Sequence, residues 1–157
     1  MPALTYNTAA GDLTINTVAM NGPAWKVLNL LELWQPADQR GSDRLLPGTA
    51  GVLAQQRRET VTRRSLQMLI VGDVDRTGAT QADRFEGLQA NVDYLRINVA
   101  STIAIGDGTV SAVLTMPDGT TRTEPVHVVG FEFGNFREDA AWLRAVLTIS
   151  IPSGRIQ

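Results

Sequence analysis

Cysteine is absent from the 157-residue sequence, and histidine occurs once, at His127. The lack of thiols excludes disulfide scaffolds, thiolate zinc sites and cysteine nucleophiles, and a single histidine excludes multi-histidine metal sites. No stretch approaches the ~18 apolar residues of a membrane-spanning helix, and residues 1–5 lack the positive start and apolar core of a signal peptide. We therefore expect no cofactor, no bound metal and no membrane association, and few enzymatic chemistries remain open.

Lysine is nearly absent as well, since Lys26 stands beside thirteen arginines, and sixteen acidic residues bring the net charge to -2. A domain that holds nucleic acid mainly by neutralising phosphates is basic, so this balance disfavours such a domain. Hydrophobic residues make up 43% of the sequence, which is ordinary globular composition. The length predicts a single domain over residues 12–157, preceded by a small polar arm at residues 1–11.

The clearest helical pattern covers about residues 81–99, where apolar residues recur at spacings of three and four. The apolar stripe consists of Phe85, Leu88, Val92, Leu95 and Val99. Thr80 is a good candidate for the N-cap, and Asp83 suits the first turn. A single stripe predicts that this helix packs on one surface, most simply a sheet.

An apolar run from Trp25 to Trp34 favours a strand, because tryptophan and valine are common in strands, although its four leucines also suit a helix. Residues 35–50 then form a long loop that contains the isolated apolar pair Leu45 and Leu46. Loops of this length are usually functional, so we expect this loop to contact another subunit.

Strand patterns dominate the remaining sequence. Residues 58–71 change from polar to apolar, as in a strand that enters a core, and residues 141–151 alternate like a central strand with one buried face. Residues 120–133 switch parity near Val128 and Gly130, which predicts a β-bulge. With two Asp-Gly hairpin signals, these patterns predict a mainly β fold, an antiparallel β-sandwich or barrel with one flanking α-helix.

The segment that joins residues 58–71 to the helix resembles half of a calcium-binding EF-hand loop. Asp73, Asp75 and Gly78 occupy positions one, three and six of that pattern. Position twelve should be a bidentate glutamate but is Arg84, and no helix precedes the loop. We therefore interpret the segment as a polar turn and predict no metal site there.

Charge is unevenly distributed along the chain. Residues 40–64 contain six arginines and two acids, a net +4, whereas residues 107–139 contain six acids and two arginines, a net -4. The pattern fits two solvated faces that happen to differ, or a chain whose one side attracts the other side of a neighbouring copy, which closes into rings or stacks. A nucleic-acid patch is a third interpretation, weakened by the absence of aromatics between the arginines. The candidate subunit-interface residues are Arg40, Arg44, Leu45, Leu46, Arg57, Arg58, Glu132 and Glu138.

The order of several motifs resembles a known family. The motifs are Asn21-Gly22, Arg40-Gly41-Ser42-Asp43, Leu45-Leu46-Pro47-Gly48-Thr49-Ala50-Gly51, Asn91-Val92-Asp93-Tyr94-Leu95 and Ile149-Ser150-Ile151-Pro152. In this order they resemble the small tail proteins of long-tailed bacteriophages (siphoviruses) of actinobacteria, which are similar to the N-terminal domain of distal tail proteins and to tail tube proteins. The resemblance implies a β-sandwich or barrel with one helix, and six copies in a ring whose central channel passes DNA. It carries over no catalytic residue.

The leading hypothesis is therefore a non-enzymatic structural subunit of a phage tail, found in the virion after assembly in the host cytoplasm. We prefer a distal tail adaptor, and the alternative is a major tail tube protein that stacks into the tube. Expected partners are further copies of the chain, together with tube, tape-measure, tip or baseplate proteins of the tail.

Two other classes of function compete with this hypothesis. A stand-alone carbohydrate-binding β-sandwich needs exposed aromatic side chains, and most of the nine aromatic residues lie in apolar periodic segments. A small hydrolase needs an oriented base, and the acid nearest His127 along its strand, Glu124, is expected on the opposite face. An acid-only catalytic site stays open at this stage.

Overall fold

A computed structural model of the chain describes residues 12–35, 39–40, 44–45, 52–53, 58–59, 61–104, 108–134, 141–154 and 156. The predicted arm at residues 1–11 lies outside these ranges. The strands are β1 (Asp12–Ile15), β2 (Val18–Ala19), β3 (Trp25–Val27), β4 (Gln39–Arg40), β5 (Arg44–Leu45), β6 (Val52–Leu53), β7 (Arg58–Glu59), β8 (Thr62–Val71), β9 (Val110–Thr115), β10 (Thr121–Phe133) and β11 (Trp142–Ile151). The helices are α1 (Arg84–Asn98) and two 3-10 helices, Leu30–Trp34 and Ala100–Ala104.

Seven of the strands form one curled, half-barrel sheet in the order β2-β1-β9-β10-β11-β8-β3, and every pairing in it is antiparallel. This arrangement confirms the predicted mainly β fold with one helix. The two edge strands, β2 and β3, are neighbours in sequence. The indole Nε1 of Trp25 on β3 donates a hydrogen bond of 2.8 Å to the carbonyl of Ala19 on β2, so a side chain joins the two edges.

The hydrophobic core fills the concave face of the sheet. Residues Leu66, Met68 and Ile70 of β8 alternate into it and are fully buried, as are alternate residues of β11. The same core cluster includes the buried stripe of α1. Because side chains alternate along a strand, the other residues of β8 and β11 form the opposite, outer face of the sheet.

The predicted strand from Trp25 to Trp34 is wrong in its second half. The strand stops at Val27, and Leu30–Trp34 is a 3-10 helix. The side chain of Asn29 explains the change, because its Oδ1 accepts from the Gln67 backbone N–H at 2.7 Å and its Nδ2 donates to the Ser65 carbonyl at 3.1 Å. The Asn29 side chain therefore makes hydrogen bonds to β8 that the backbone of a continuing strand would make, and the main chain turns away from the sheet.

The helix begins later than predicted. Asp83, rather than Thr80, is the N-cap, and its carboxylate accepts from the backbone N–H groups of Phe85 and Glu86. Thr80 instead forms an isolated bridge with Val74. Four residues of the predicted stripe, Leu88, Val92, Leu95 and Val99, are buried in the core.

Close backbone contact fixes where α1 crosses the end of β8. A Cβ added to Gly72 would lie 1.9 Å from the carbonyl oxygen of Arg84, and one added to Gly87 would lie 2.2 Å from the carbonyl oxygen of Gly72. One turn further on, the buried side chain of Asn91 donates to the carbonyls of Val71 and Val74 at 2.7 and 2.9 Å. These contacts require glycine at two positions and an amide at a third.

The register of the ladders gives the sheet two different ends. The end of β8 and the start of β11 lie where α1 crosses, since Val71 pairs with Trp142. The start of β8 and the end of β11 lie at the other end, since Thr62 pairs with Ile151. The predicted bulge in β10 is confirmed, because the register with β11 shifts between Val128 and Gly130.

Replacing Leu95 with alanine should lower the free energy of unfolding by ~2–5 kcal/mol, because the side chain is fully buried and its loss leaves a cavity. Ile97→Ala is the matched control, since Ile97 lies on the same helix and is 62% exposed. The control should change stability by less than ~0.5 kcal/mol. Chemical denaturation measures both, and equal losses would contradict this packing of α1.

Replacing Gly87 with alanine should destabilise the fold by ~1–3 kcal/mol or more, because the new Cβ meets a backbone carbonyl that cannot rotate away. Gly22→Ala is the control, since a Cβ there meets no atom within 4 Å. Thermal melts of both variants test the crossing. A Gly87→Ala protein as stable as the control would show that the contact is not a constraint.

Candidate assembly surfaces

The segment between the first 3-10 helix and β8 contains two nested antiparallel ladders. Gln39 and Arg40 pair with Glu59 and Arg58, and inside this pairing β5 pairs with β6. Part of the predicted loop 35–50 is therefore strand, and the short strands β4 to β7 pair in the nested order of a hairpin; we call these four strands the hairpin arm. The arm precedes the start of β8, at Thr62, and α1 crosses the opposite end of this strand.

The candidate interface residues fall into three groups. Arg40 and Arg58 are directly opposite each other in the outer ladder, and Arg44 and Leu45 lie in the inner one. Leu46, Arg57 and Glu138 lie outside the described residues.

Glu132, the remaining candidate, is exposed on β10 and pairs with Val146 of β11. It therefore lies on the sheet rather than on the arm. The distribution of charge along the chain could not reveal this placement, because pairing between β10 and β11 depends on long-range register.

The outer sheet face is a second candidate surface, and sequence analysis missed it. Its residues include Lys26, Leu28, Gln67, Leu69, Trp142, Arg144 and Val146. Leu28, Trp142 and Val146 are 48%, 46% and 36% exposed, so exposed apolar side chains lie near Lys26 and Arg144. A large exposed apolar patch of this kind marks an interaction site in many proteins.

The residues that resembled a calcium loop have other partners. The Asp75 carboxylate accepts hydrogen bonds from Thr77 and from the Ala79 N–H, and these bonds hold its pKa below the usual range. Arg84, which replaces the glutamate of a calcium loop, places its Nε 3.2 Å from the Oδ1 of the mostly buried Asp73. A fixed guanidinium charge therefore lies beside the first would-be ligand.

A cleft of about 300 Å³ lies at the junction of β2 and β3 and is lined by Trp25, Arg76 and Tyr94 among others. Trp25 stacks on Tyr94 with ring centroids 5.8 Å apart, and the Arg76 guanidinium lies 4.7 Å from the Tyr94 centroid. Trp25 and Tyr94 already stack on each other, and Tyr94 also contacts the Arg76 guanidinium, so these rings are poorly placed to stack on a sugar.

Two further groups bear on enzymatic chemistry. Glu124, the acid nearest His127 in sequence, accepts a hydrogen bond of 3.1 Å from Ser153. His127 pairs with Ser150 across the β10–β11 ladder. Among the described residues, no group of three or more histidine and acidic side chains could hold a metal ion.

Burial affects one carboxylate near the start of the sheet. Burial raises the pKa of Asp12 above its usual range, and hydrogen bonds from Leu13 and Asn21 oppose this rise. The opposite case is Asp118 in the β9–β10 turn, whose bonds from Thr120 lower its pKa.

None of the helices in the described ranges is long and apolar enough to cross a membrane.

No protein-family model matches the chain, and no curated protein matches it in sequence. Solved structures do match. The fold is similar to that of the Dit protein of phage SPP1, a protein described as a paradigm of the hub adsorption apparatus in phages that infect Gram-positive bacteria. The TM-score is 0.54 at 12% identity, and the match covers 91% of this chain and 50% of the Dit chain, so this chain spans about half the length of that protein.

A second match is a chain in the tail of an empty gene transfer agent (GTA) particle with C6 symmetry. Its TM-score is 0.45 at 8% identity, with 94% of each chain covered. The match to the Dit protein shows that the chain has a fold that is found in a phage hub protein.

Asp12→Asn should change how stability depends on pH. The raised pKa means that the folded chain holds this proton more tightly than the unfolded chain, so wild-type stability falls as pH rises through the raised pKa. The asparagine variant lacks this loss and should melt at a higher temperature at neutral pH. Asp118→Asn is the control with opposite sign, because its lowered pKa contributes stability that is lost as pH falls. Identical pH profiles for both variants would contradict the assignment.

Millimolar calcium should leave the melting temperature unchanged, because Arg84 places a positive charge beside Asp73 where a calcium loop needs a carboxylate. Magnesium at equal ionic strength controls for salt. A saturable rise of the melting temperature with calcium alone would overturn the interpretation of residues 73–84 as a turn.

Proposed function

We propose that the chain is a non-enzymatic structural subunit of a phage tail, in a long-tailed phage of actinobacteria. Six copies form a ring around a channel for DNA, and the ring acts as a distal adaptor in the tail tip. The single observation that supports this most strongly is the fold shared with the Dit protein of phage SPP1 over 91% of the chain. The order of sequence motifs supports the same family independently.

The hairpin arm supports the proposal because its composition suits contact with another subunit. Arg40 and Arg58 are register partners in the outer ladder, and Arg44 lies in the inner one, so the arm is rich in arginine. Arginine also pairs with carboxylates through a planar fork, which makes it common at interfaces. The arm's expected partner is a neighbouring subunit or the adjacent tail protein.

Localisation and partners follow from the proposal. The subunit resides in the tail of the virion after assembly in the host cytoplasm, and its neighbours are tube, tape-measure, tip or baseplate proteins. DNA passes through the channel without stable binding, in keeping with the net charge of -2. No membrane association is part of this function.

Native mass spectrometry and electron microscopy of the purified protein test the proposal. A sixfold species and single rings support the adaptor, whereas long self-assembled tubes would assign the chain to the tail tube instead. A protein that stays monomeric at high concentration contradicts both. Micromolar binding on a glycan array by such a monomer would favour the carbohydrate-binding alternative.

Excising the arm should abolish assembly and preserve the fold. Because Gln39 and Glu59 are paired neighbours, a short Gly-Ser linker can replace residues 40–58 without stretching the chain. We expect a folded monomer by circular dichroism and native mass spectrometry. A linker inserted in the Asp118-Gly119 turn, away from the arm, is the control and should still assemble. Rings that form without the arm would show that it is not the assembly element.

A further inference from the structure

Two cations of the outer sheet face, Lys26 and Arg144, lie in a single row. The register pairs Lys26 with Leu69 and Leu69 with Arg144, so these three residues lie side by side on neighbouring strands β3, β8 and β11. Strands in a sheet are about 4.8 Å apart, so the two cations are separated by about 10 Å, with the leucine between them. Trp142 and Val146 flank Arg144 along β11 and are exposed.

The exposed side of α1 carries a stripe with the opposite charge. Glu86, Ala90, Asp93 and Ile97 follow each other at spacings of four, three and four, so they share one side of the helix, opposite the buried stripe. Glu86 and Asp93 are seven residues apart, which corresponds to about 10.5 Å along the axis. Ala90, a small residue, lies between the two acids.

We propose that this helix stripe of one copy docks on the outer sheet face of the next copy. The proposal rests on the assembly that we propose as the function and names the surfaces that meet within it. The two acids are opposite in charge to the two cations, and their separation along the helix axis is close to the separation of the cations across the strands. Between them, Ala90 leaves room for Leu69, and Ile97 adds apolar contact to the exposed Trp142 and Val146.

The two surfaces cannot meet within one copy. The buried side of α1 packs in the core on the concave face of the sheet, so its exposed stripe points away from the outer sheet face. A contact between them is therefore heterologous, or head-to-tail, and such contacts close into rings or continue as filaments. This is the type of contact that a ring subunit requires.

Each of the two surfaces also carries other charged side chains. Arg96 contacts Asp93 at 3.0 Å, but both side chains are about half exposed or more, and exposed ion pairs contribute little to stability. Among the described residues, Glu132 is an acid that lies near Arg144, because it pairs with Val146, and exposed Arg63 lies further along the same face of β8. The face keeps a positive balance, and the stripe with Arg96 included keeps a negative one.

Two charge-reversed chains test the docking. The sheet variant carries Lys26→Glu and Arg144→Glu, and the helix variant carries Glu86→Lys and Asp93→Lys. Each variant alone places like charges against each other, so we expect loss of the assembled species seen for wild type. Arg122→Glu, an exposed reversal on neither surface, is the control and should assemble normally. Circular dichroism and melting temperature verify that every variant is folded.

Mixing the two variants makes the test specific. In an equimolar mixture, the negative sheet face of one chain meets the positive helix stripe of the other, and the wild-type surfaces that remain also match. We therefore expect assembly to return only in the mixture, with the two chains alternating. Native mass spectrometry should then show sixfold species that contain three copies of each chain.

The outcomes separate this inference from the proposed function. If wild type forms rings and each variant does so equally well alone, these surfaces do not meet and the proposed function stands. If the mixture stays monomeric, or contains the chains in random ratios, the pairing of the two surfaces is also wrong. If wild type itself stays monomeric, the proposed function fails together with the inference.

Discussion

The structure depends on the place where α1 crosses the end of β8. Gly72 and Gly87 let two backbones approach more closely than any side chain permits, and Asn91 donates to the carbonyls of Val71, at the end of β8, and of Val74. This crossing sets the height and rotation of the helix over the sheet. Once it is set, Leu88, Leu95 and Val99 enter the core, and the acidic side of α1 has no alternative to facing outward.

Much of this fold was predictable because its main elements have strong local periodicity. Strand β11 alternates over ten residues and α1 carries one narrow stripe, so a sheet with one packed helix followed from the sequence. The segment from Trp25 to Trp34 was mispredicted for a tertiary reason. Asn29 hydrogen-bonds to β8, 36 and 38 residues away, and no local pattern signals that an amide will end a strand there.

The candidate surfaces were less predictable than the fold, and the reason is register. Charges grouped by sequence did not group in space: Arg63 belongs to the positive block and Glu132 to the negative block, yet both lie on the outer face of the sheet. The row that joins Lys26 to Arg144 unites residues 118 positions apart through two ladders. Only pairing of the strands shows that these cations stand in one line and at the separation of two acids on α1.

The two unlike ends of the sheet have a consequence for any closed ring of this subunit. The helix crosses at one end, and the hairpin arm departs from the other. In a ring of identical copies whose strands run along the rotation axis, all helix ends lie on one rim and all arms on the opposite rim. Such a ring is polar, because its two rims carry different structural elements. It can therefore bind different neighbours above and below, and so set a direction along the axis of whatever it joins.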